Sequence, residues 1–222
     1  MATTKTNLNL RKGVGVSSPV LVTVPADSAV TVTGDPETWY PVEYAGTAGW
    51  MSGKYLDLNA TPAPVDPYIS KALALTEKML GLWYRYGGNF TQTVFKDKRG
   101  DCSGFVGFVA EECGYRPGDM PLYDYAANQM LRNFRMGWWP SEKIKEGEEQ
   151  PMDIVFYGYQ KNGEPYAGHV VYALGNGKVR GASGGYQNTL TDADAKRVGA
   201  CVRDDDIHFH KHGIVGIYRP KY

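Results

Sequence analysis

Between residues 5 and 58, apolar and polar positions alternate in short bursts. Leu8-Asn-Leu-Arg11, Val20-Leu-Val-Thr-Val24 and Ala29-Val-Thr-Val-Thr33 carry the two-residue period of strands, punctuated at Gly13, Pro25-Ala-Asp27 and Gly34-Asp-Pro36. Trp39-Tyr-Pro-Val-Glu-Tyr44, a Gly46 turn, Ala48-Gly-Trp-Met51 and Lys54-Tyr-Leu56 continue the pattern. About five strands in so short a span predict a small all-β barrel, which leaves few edges open. Residues 59–68 hold three prolines and read as a semi-rigid linker. The period then lengthens. Ile69, Ala72, Leu73, Leu75, Met79 and Leu80 predict a helix over 69–82, ended by Trp83-Tyr-Arg-Tyr-Gly-Gly88. A polar loop over 89–100 leads to a helix from Cys102 to Cys113-Gly114, and another helix is predicted over 123–133. Asp153–Tyr157, His169–Leu174, Lys178–Ala182 and Ile214–Tyr218 read as strands. Helices first and antiparallel strands afterwards make the second part an α+β domain.

The chain has 222 residues, 42% of them hydrophobic, enough for one large domain or a small one beside a medium one. Its 24 basic and 24 acidic residues cancel, which argues against a nucleic-acid partner held by a broad positive field. No apolar run reaches the ~20 residues of a membrane span. The start, Met-Ala-Thr-Thr-Lys-Thr-Asn, lacks the apolar core of a signal peptide. The 16 tyrosines and 5 tryptophans suit either a Tyr-rich core or a carbohydrate or peptide groove. Three cysteines are too few for a disulfide scaffold. One helix carrying both Cys102 and Cys113 separates them by about 16 Å, beyond disulfide reach.

Arg99-Gly-Asp-Cys-Ser-Gly-Phe-Val-Gly-Phe-Val109 runs a tight polar turn into an apolar helix, with Cys102 at the junction. Unpaired N–H groups and the helix dipole at that point favour a thiolate, the nucleophilic form. Cys102 is therefore the candidate nucleophile. A base must come from elsewhere in the chain, and His169, directly after Gly168 at a strand start, has the best context of the four histidines.

Two resemblances follow from quoted residues. Leu8-Asn-Leu-Arg-Lys-Gly13, Trp39-Tyr-Pro-Val-Glu-Tyr44 and Gly49-Trp-Met-Ser-Gly-Lys-Tyr-Leu56 make residues 1–58 resemble a bacterial SH3-like (SH3b) domain. Trp83–Gly88, Asp101-Cys-Ser-Gly-Phe-Val106, Pro151–Phe156 and Gly168–Gly177 make residues 69–222 resemble the NlpC/P60 family of papain-like cysteine peptidases. The implied fold is an SH3-like barrel followed by N-terminal helices packed on an antiparallel sheet. The resemblance implies Cys102 as nucleophile, His169 as base, Tyr84 near the oxyanion, and Asp101 and Ser103 on the substrate cleft, where they hold a free amino group. A helix N-cap is the alternative role for Asp101.

One position departs from the family. The His, Asn or Gln that orients the base falls on Gly181; Ser183, two residues on and on the same strand face, is the candidate replacement, with a carbonyl or a water as alternatives. His208, His210 and His212 alternate, a spacing open to a metal, but Asp204-Asp-Asp206 beside them reads as a solvated turn and the expectation is no metal and no cofactor. Trp39, Tyr40, Tyr44 and Trp50 either fill the barrel or stack on a ligand.

The function implied is peptidoglycan hydrolysis, by cleavage of stem peptides at the γ-D-glutamyl–diamino acid bond. The partner is peptidoglycan or its fragments, the expected state a monomer, and the place of action the bacterial wall. With no signal peptide in the sequence, that setting is a phage or prophage lysin or a trimmed secreted enzyme. The rival readings are an amidase cutting muramoyl–L-alanine, a wall-binding protein with a decayed site, and an acyltransferase.

Overall fold

In the computed structural model, residues 2–26, 28–34, 38–44, 47–58, 67–88, 99–118, 120–175 and 177–221 are described. The chain divides into two compact units, Met1–Val65 and Asp66–Tyr222. Among the described residues no helix is long and apolar enough to cross a membrane.

The first unit contains β1 (Ala2–Thr4), β2 (Leu8–Arg11), β3 (Val20–Val24), β4 (Ala29–Val32), β5 (Trp39–Tyr44), β6 (Thr47–Ser52) and β7 (Leu56–Asp57). They pair in the order β3-β2-β6-β5-β4-β1-β7. Alternation does the folding. Leu8 and Leu10 of β2 point inward with Val24, Val30, Val42, Met51 and Leu56. Tyr40 and Tyr44 pack against this core, and Trp39 and Trp50 are half-buried. Two short strands, β1 and β7, escaped the pattern because two or three residues carry no readable period. Gly53-Lys-Tyr55 forms a 3₁₀ turn, not the strand expected at Lys54-Tyr-Leu56. Tyr40 explains the turn's glycine: a Cβ on Gly53 would come within 2.3 Å of its ring.

The second unit runs α1 (Pro67–Lys78), β8 (Trp83–Tyr84), β9 (Arg99–Gly100), α2 (Cys102–Cys113), α3 (Ala127–Arg135), β10 (Ser141–Lys143), β11 (Ile154–Lys161), β12 (Glu164–Gly175), β13 (Lys178–Ser183), α4 (Asp192–Val198), β14 (Cys201–Asp206) and β15 (Ile214–Pro220). Its sheet orders as β10-β15-β11-β12-β13-β14-β8-β9, antiparallel except for the β8–β9 pair. Helix α2 lies against one face, among Ile154, Phe156, Val170, Tyr172 and Ala182. Val155, Tyr157, Val171, Ala173 and Val179 form a second apolar group with Ile144, Ile207 and Ile217. The expected linker lies outside the described residues over 59–66, and so does the expected polar loop over 89–98. Pro67 and Tyr68, read as linker, begin α1, where proline at a first helical position costs no hydrogen bond. The same helix stops at Lys78, short of 82, because Gly81 adopts φ +79° and its N–H turns to the Val202 carbonyl. Helix α3 starts four residues later than expected, after a 3₁₀ turn at Leu122–Asp124.

Helix α2 is buried from Cys102 through Ala110, so it can be apolar on every side. Gly114, at φ +96°, terminates it in a left-handed cap. Gly107 lets the backbone of Leu122-Tyr123 cross the helix: a Cβ there would meet Tyr123 N at 2.4 Å and the Leu122 carbonyl carbon at 2.5 Å. Those neighbours are backbone and cannot rotate away. Gly107→Ala is therefore expected to destabilise the second unit by about 3 kcal/mol, read as a lower urea midpoint at unchanged slope.

Candidate active site

The site is assembled where two short parallel strands meet a helix start. β8 and β9 place Tyr84 opposite Gly100, directly before Asp101 and Cys102. Asp101 caps α2. Its carboxylate accepts the Gly104 N–H at 2.8 Å, the Ser103 hydroxyl at 3.0 Å and the Gly87 N–H at 3.0 Å. Burial raises its pKa, and these hydrogen bonds oppose the rise. The N-cap role is thus occupied, and the same carboxylate still borders the cleft.

Cys102 is 7% exposed, and the N–H of Val170, the residue after His169, is among the groups that favour its anion. The thiolate expected from the helix dipole is not the resting form. Burial, with the Asp101 carboxylate adding to it, pushes the thiol pKa up to about 12, outweighing the N–H groups of Val170, Ser103 and Cys102 that favour the anion. Tyr84 shares this environment. Burial and the neighbouring Cys102 and Asp101 hold its phenol protonated, hence a donor. Gly185 makes room for its ring: a Cβ there would lie 2.1 Å from it.

Tyr84, Asp101, Cys102 and Ser103 line one cleft of about 1120 Å³. Gly185 and Tyr186-Gln-Asn188 border it. Five further tyrosines, Tyr86, Tyr123, Tyr159, Tyr166 and Tyr186, also line it. The high tyrosine count was the signal for them, but composition carries no position.

His169 is buried at 8% exposure, and its neighbours Ala167 and Gly168 reach the cleft wall. Its Nε2 lies 3.2 Å from Ser183 Oγ. Its ring packs on Tyr157, Phe209 and His210. Position 181 has no room for an orienting side chain, since a Cβ on Gly181 would lie 2.5 Å from Val171 Cγ1. Burial, then His210 and Arg203, lower the His169 pKa to about 3, so the imidazole is neutral.

The carboxylates read as a solvated turn belong instead to β14. Asp204 pairs with the Arg180 guanidinium at 2.6 and 2.9 Å, and Asp205 with Arg203 at 3.0 Å. A strand with three successive acids is stable here because arginines answer two of them. Among the described residues no three His, Cys, Asp or Glu side chains gather as a metal-binding group, and the three cysteines are free thiols.

Residues 6–57 match the bacterial SH3 domain family. The chain is 30% identical over 107 residues to a protein described as a probable endopeptidase p60 from Listeria seeligeri, covering 48% of this chain and 16% of that relative. The chain therefore spans only a small part of the curated relative it matches. An NlpC/P60 family protein from Bacillus cereus is similar in structure at 15% identity and TM-score 0.48, over 99% of this chain and 62% of that one. The peptidoglycan hydrolase RipB from Mycobacterium tuberculosis is similar at 19% identity and TM-score 0.45, over 70% and 66%. The chain therefore joins a segment that matches the bacterial SH3 domain family to an α+β unit that carries the Cys102 helix, and over 107 residues it is similar to the Listeria endopeptidase.

Proposed function

We propose that this protein is a peptidoglycan hydrolase of the cysteine endopeptidase class, cutting stem peptides at the γ-D-glutamyl–diamino acid bond. The observation that carries the reading is Cys102 at the capped start of a buried helix, opening on a cleft walled by Tyr84, Asp101 and Ser103. Such a pocket is deep enough for a peptide and offers donors where a carbonyl oxygen would gain charge.

Both reacting groups rest neutral, so the thiol proton leaves in step with attack on the carbonyl. In this reading His169, whose Nε2 lies 3.2 Å from Ser183 Oγ and whose ring packs with Tyr157 outside the cleft lining, turns toward Cys102 to take that proton. Charge passes from sulfur to the carbonyl oxygen, where the Cys102 N–H and the Tyr84 hydroxyl donate. The amine departs with the proton from His169, and water then hydrolyses the thioester. Asp101 and Ser103 supply acceptors for a substrate ammonium. The SH3 domain binds the wall, in keeping with the domain class that residues 6–57 match.

A wall-binding protein without turnover is the second reading, favoured by the filled space at Gly181. Product masses from purified peptidoglycan and from short stem peptides separate the possibilities. Peptides ending in D-glutamate through its γ-carboxyl are the expected products. Intact stem peptides freed from muramic acid would instead make it an amidase. Wall binding with no released peptide would establish the second reading. Turnover confined to short free-amine peptides would keep the endopeptidase chemistry but place it on fragments, with Asp101 and Ser103 holding the amine.

A further inference from the structure

The alternating histidines at 208–212 have no part in the chemistry described so far, yet one of them touches the base. His210 lies face to face with His169, ring centroids 5.2 Å apart and planes 8° from parallel. It comes from the segment between β14 and β15, far along the chain from β12. Phe209 meets both rings edge-on, and Tyr157 of β11 lies tilted against both. His169 is thus enclosed by an aromatic cage with one hydroxyl, Ser183, at Nε2.

The cage matters because the usual site for an orienting group is closed. Val171 fills the space that a side chain at 181 would need. A single 3.2 Å contact to a hydroxyl fixes one ring nitrogen and leaves the ring free to tilt about that contact. A stacked partner removes the tilt.

His210 is itself held in either protonation state. The His212 N–H donates to its Nδ1 at 3.2 Å, and the His212 carbonyl lies 3.3 Å from the same nitrogen. Neutral, Nδ1 accepts; protonated, it donates. The ring therefore keeps its plane through a titration.

We propose that His210 is the positioning residue for His169, holding the imidazole by stacking where the chain has no side chain to hold it by hydrogen bonding, and that its charge sets the pH at which His169 takes a proton. This rests on the reading of His169 as the base. The groups facing His169 are Tyr157 from β11, Ser183 from β13, Phe209 and His210 from the β14–β15 segment, and Arg203 of β14 acting through space. His210 in turn faces Lys211 and His212. Two stacked imidazoles cannot both carry charge cheaply, so protonating one opposes protonating the other. Burial keeps His210 below its ordinary range, so at neutral pH it is uncharged and leaves His169 free to accept the thiol proton.

The test follows the His169 ring by NMR through a pH titration, in the full chain carrying His210→Phe or His210→Ala and in the unchanged protein. Phenylalanine keeps the stack and removes the charge. His210→Phe is expected to raise the His169 pKa, since a charge that opposes protonation is gone. Its kcat is expected within about threefold of the unchanged protein, with the acid limb of activity moved up by the same interval. His210→Ala is expected to lower kcat by about tenfold or more at unchanged KM, and to broaden the His169 ring signals. An unmoved His169 titration in both variants, with the sheet's methyl resonances intact, would overturn the proposal. The ring titration is read without substrate, so it stands apart from the hydrolase reading, which fails on product masses alone.

Discussion

Cys102→Ala is expected to abolish release of peptides from peptidoglycan, by a factor on the order of 10⁴ or more, while wall binding persists. The size follows from the mechanism: no other group among Tyr84, Asp101 and Ser103 can form the covalent intermediate. Cys102→Ser is expected to be as inactive, because a buried hydroxyl loses its proton even less readily than a thiol already pushed up to about 12. Folding is little disturbed, since alanine fills most of the cysteine's place at the start of α2. The same burial predicts a further signature. Alkylation of Cys102 by iodoacetamide, followed by mass, is expected to accelerate through the alkaline range without levelling near neutral pH. A plateau near pH 6 would mean a preformed thiolate and would overturn the neutral resting state. Turnover by Cys102→Ala at the unchanged rate would end the cysteine reading altogether.

Much of the site was legible because its signals are local. Asp101-Cys102-Ser103 announces a capped helix start, and Asp101 does cap α2. The β12 and β13 strands were visible because most of their buried positions are apolar, with His169, Arg180 and Ser183 the polar exceptions. What stayed hidden depends on pairing between distant segments. β14 ends in Asp204-Asp-Asp206, which reads as solvent-exposed until Arg180 and Arg203 are seen beside it. Helix α4 had a signal that went unread: Thr191 and Asp194 form a reciprocal capping box. The thiol's charge state failed for a different reason. The helix dipole can be read from sequence, but the burial that outweighs it depends on the whole sheet packing against α2. His210 is the clearest case. Its alternation with His208 and His212 was a spacing open to a metal, with none expected, and gave no sign of the tertiary contact that stacks it on His169.

Acid is expected to destabilise the folded second unit through His169. In the folded state its pKa is about 3, against an ordinary value of 6.5 once the chain unfolds. Between those two values the unfolded chain binds a proton that the folded one does not, so stability falls as pH drops below about 6.5 and the loss is complete near pH 3. Between pH 7 and pH 4 this group alone accounts for about 3 kcal/mol of lost stability. A buried ring with a single hydroxyl partner has no other way to accommodate the charge. Other groups titrate over the same interval, so the comparison is with His169→Gln, which can still hydrogen-bond Ser183 but cannot be protonated. Urea unfolding at pH 7 and pH 4 measures both proteins. The variant is expected to lose about 3 kcal/mol less than the unchanged protein over that interval, whatever its own stability at pH 7. Equal losses in the two proteins would show that His169 ionises normally in the fold, and that the His210 stack does not restrain its charge.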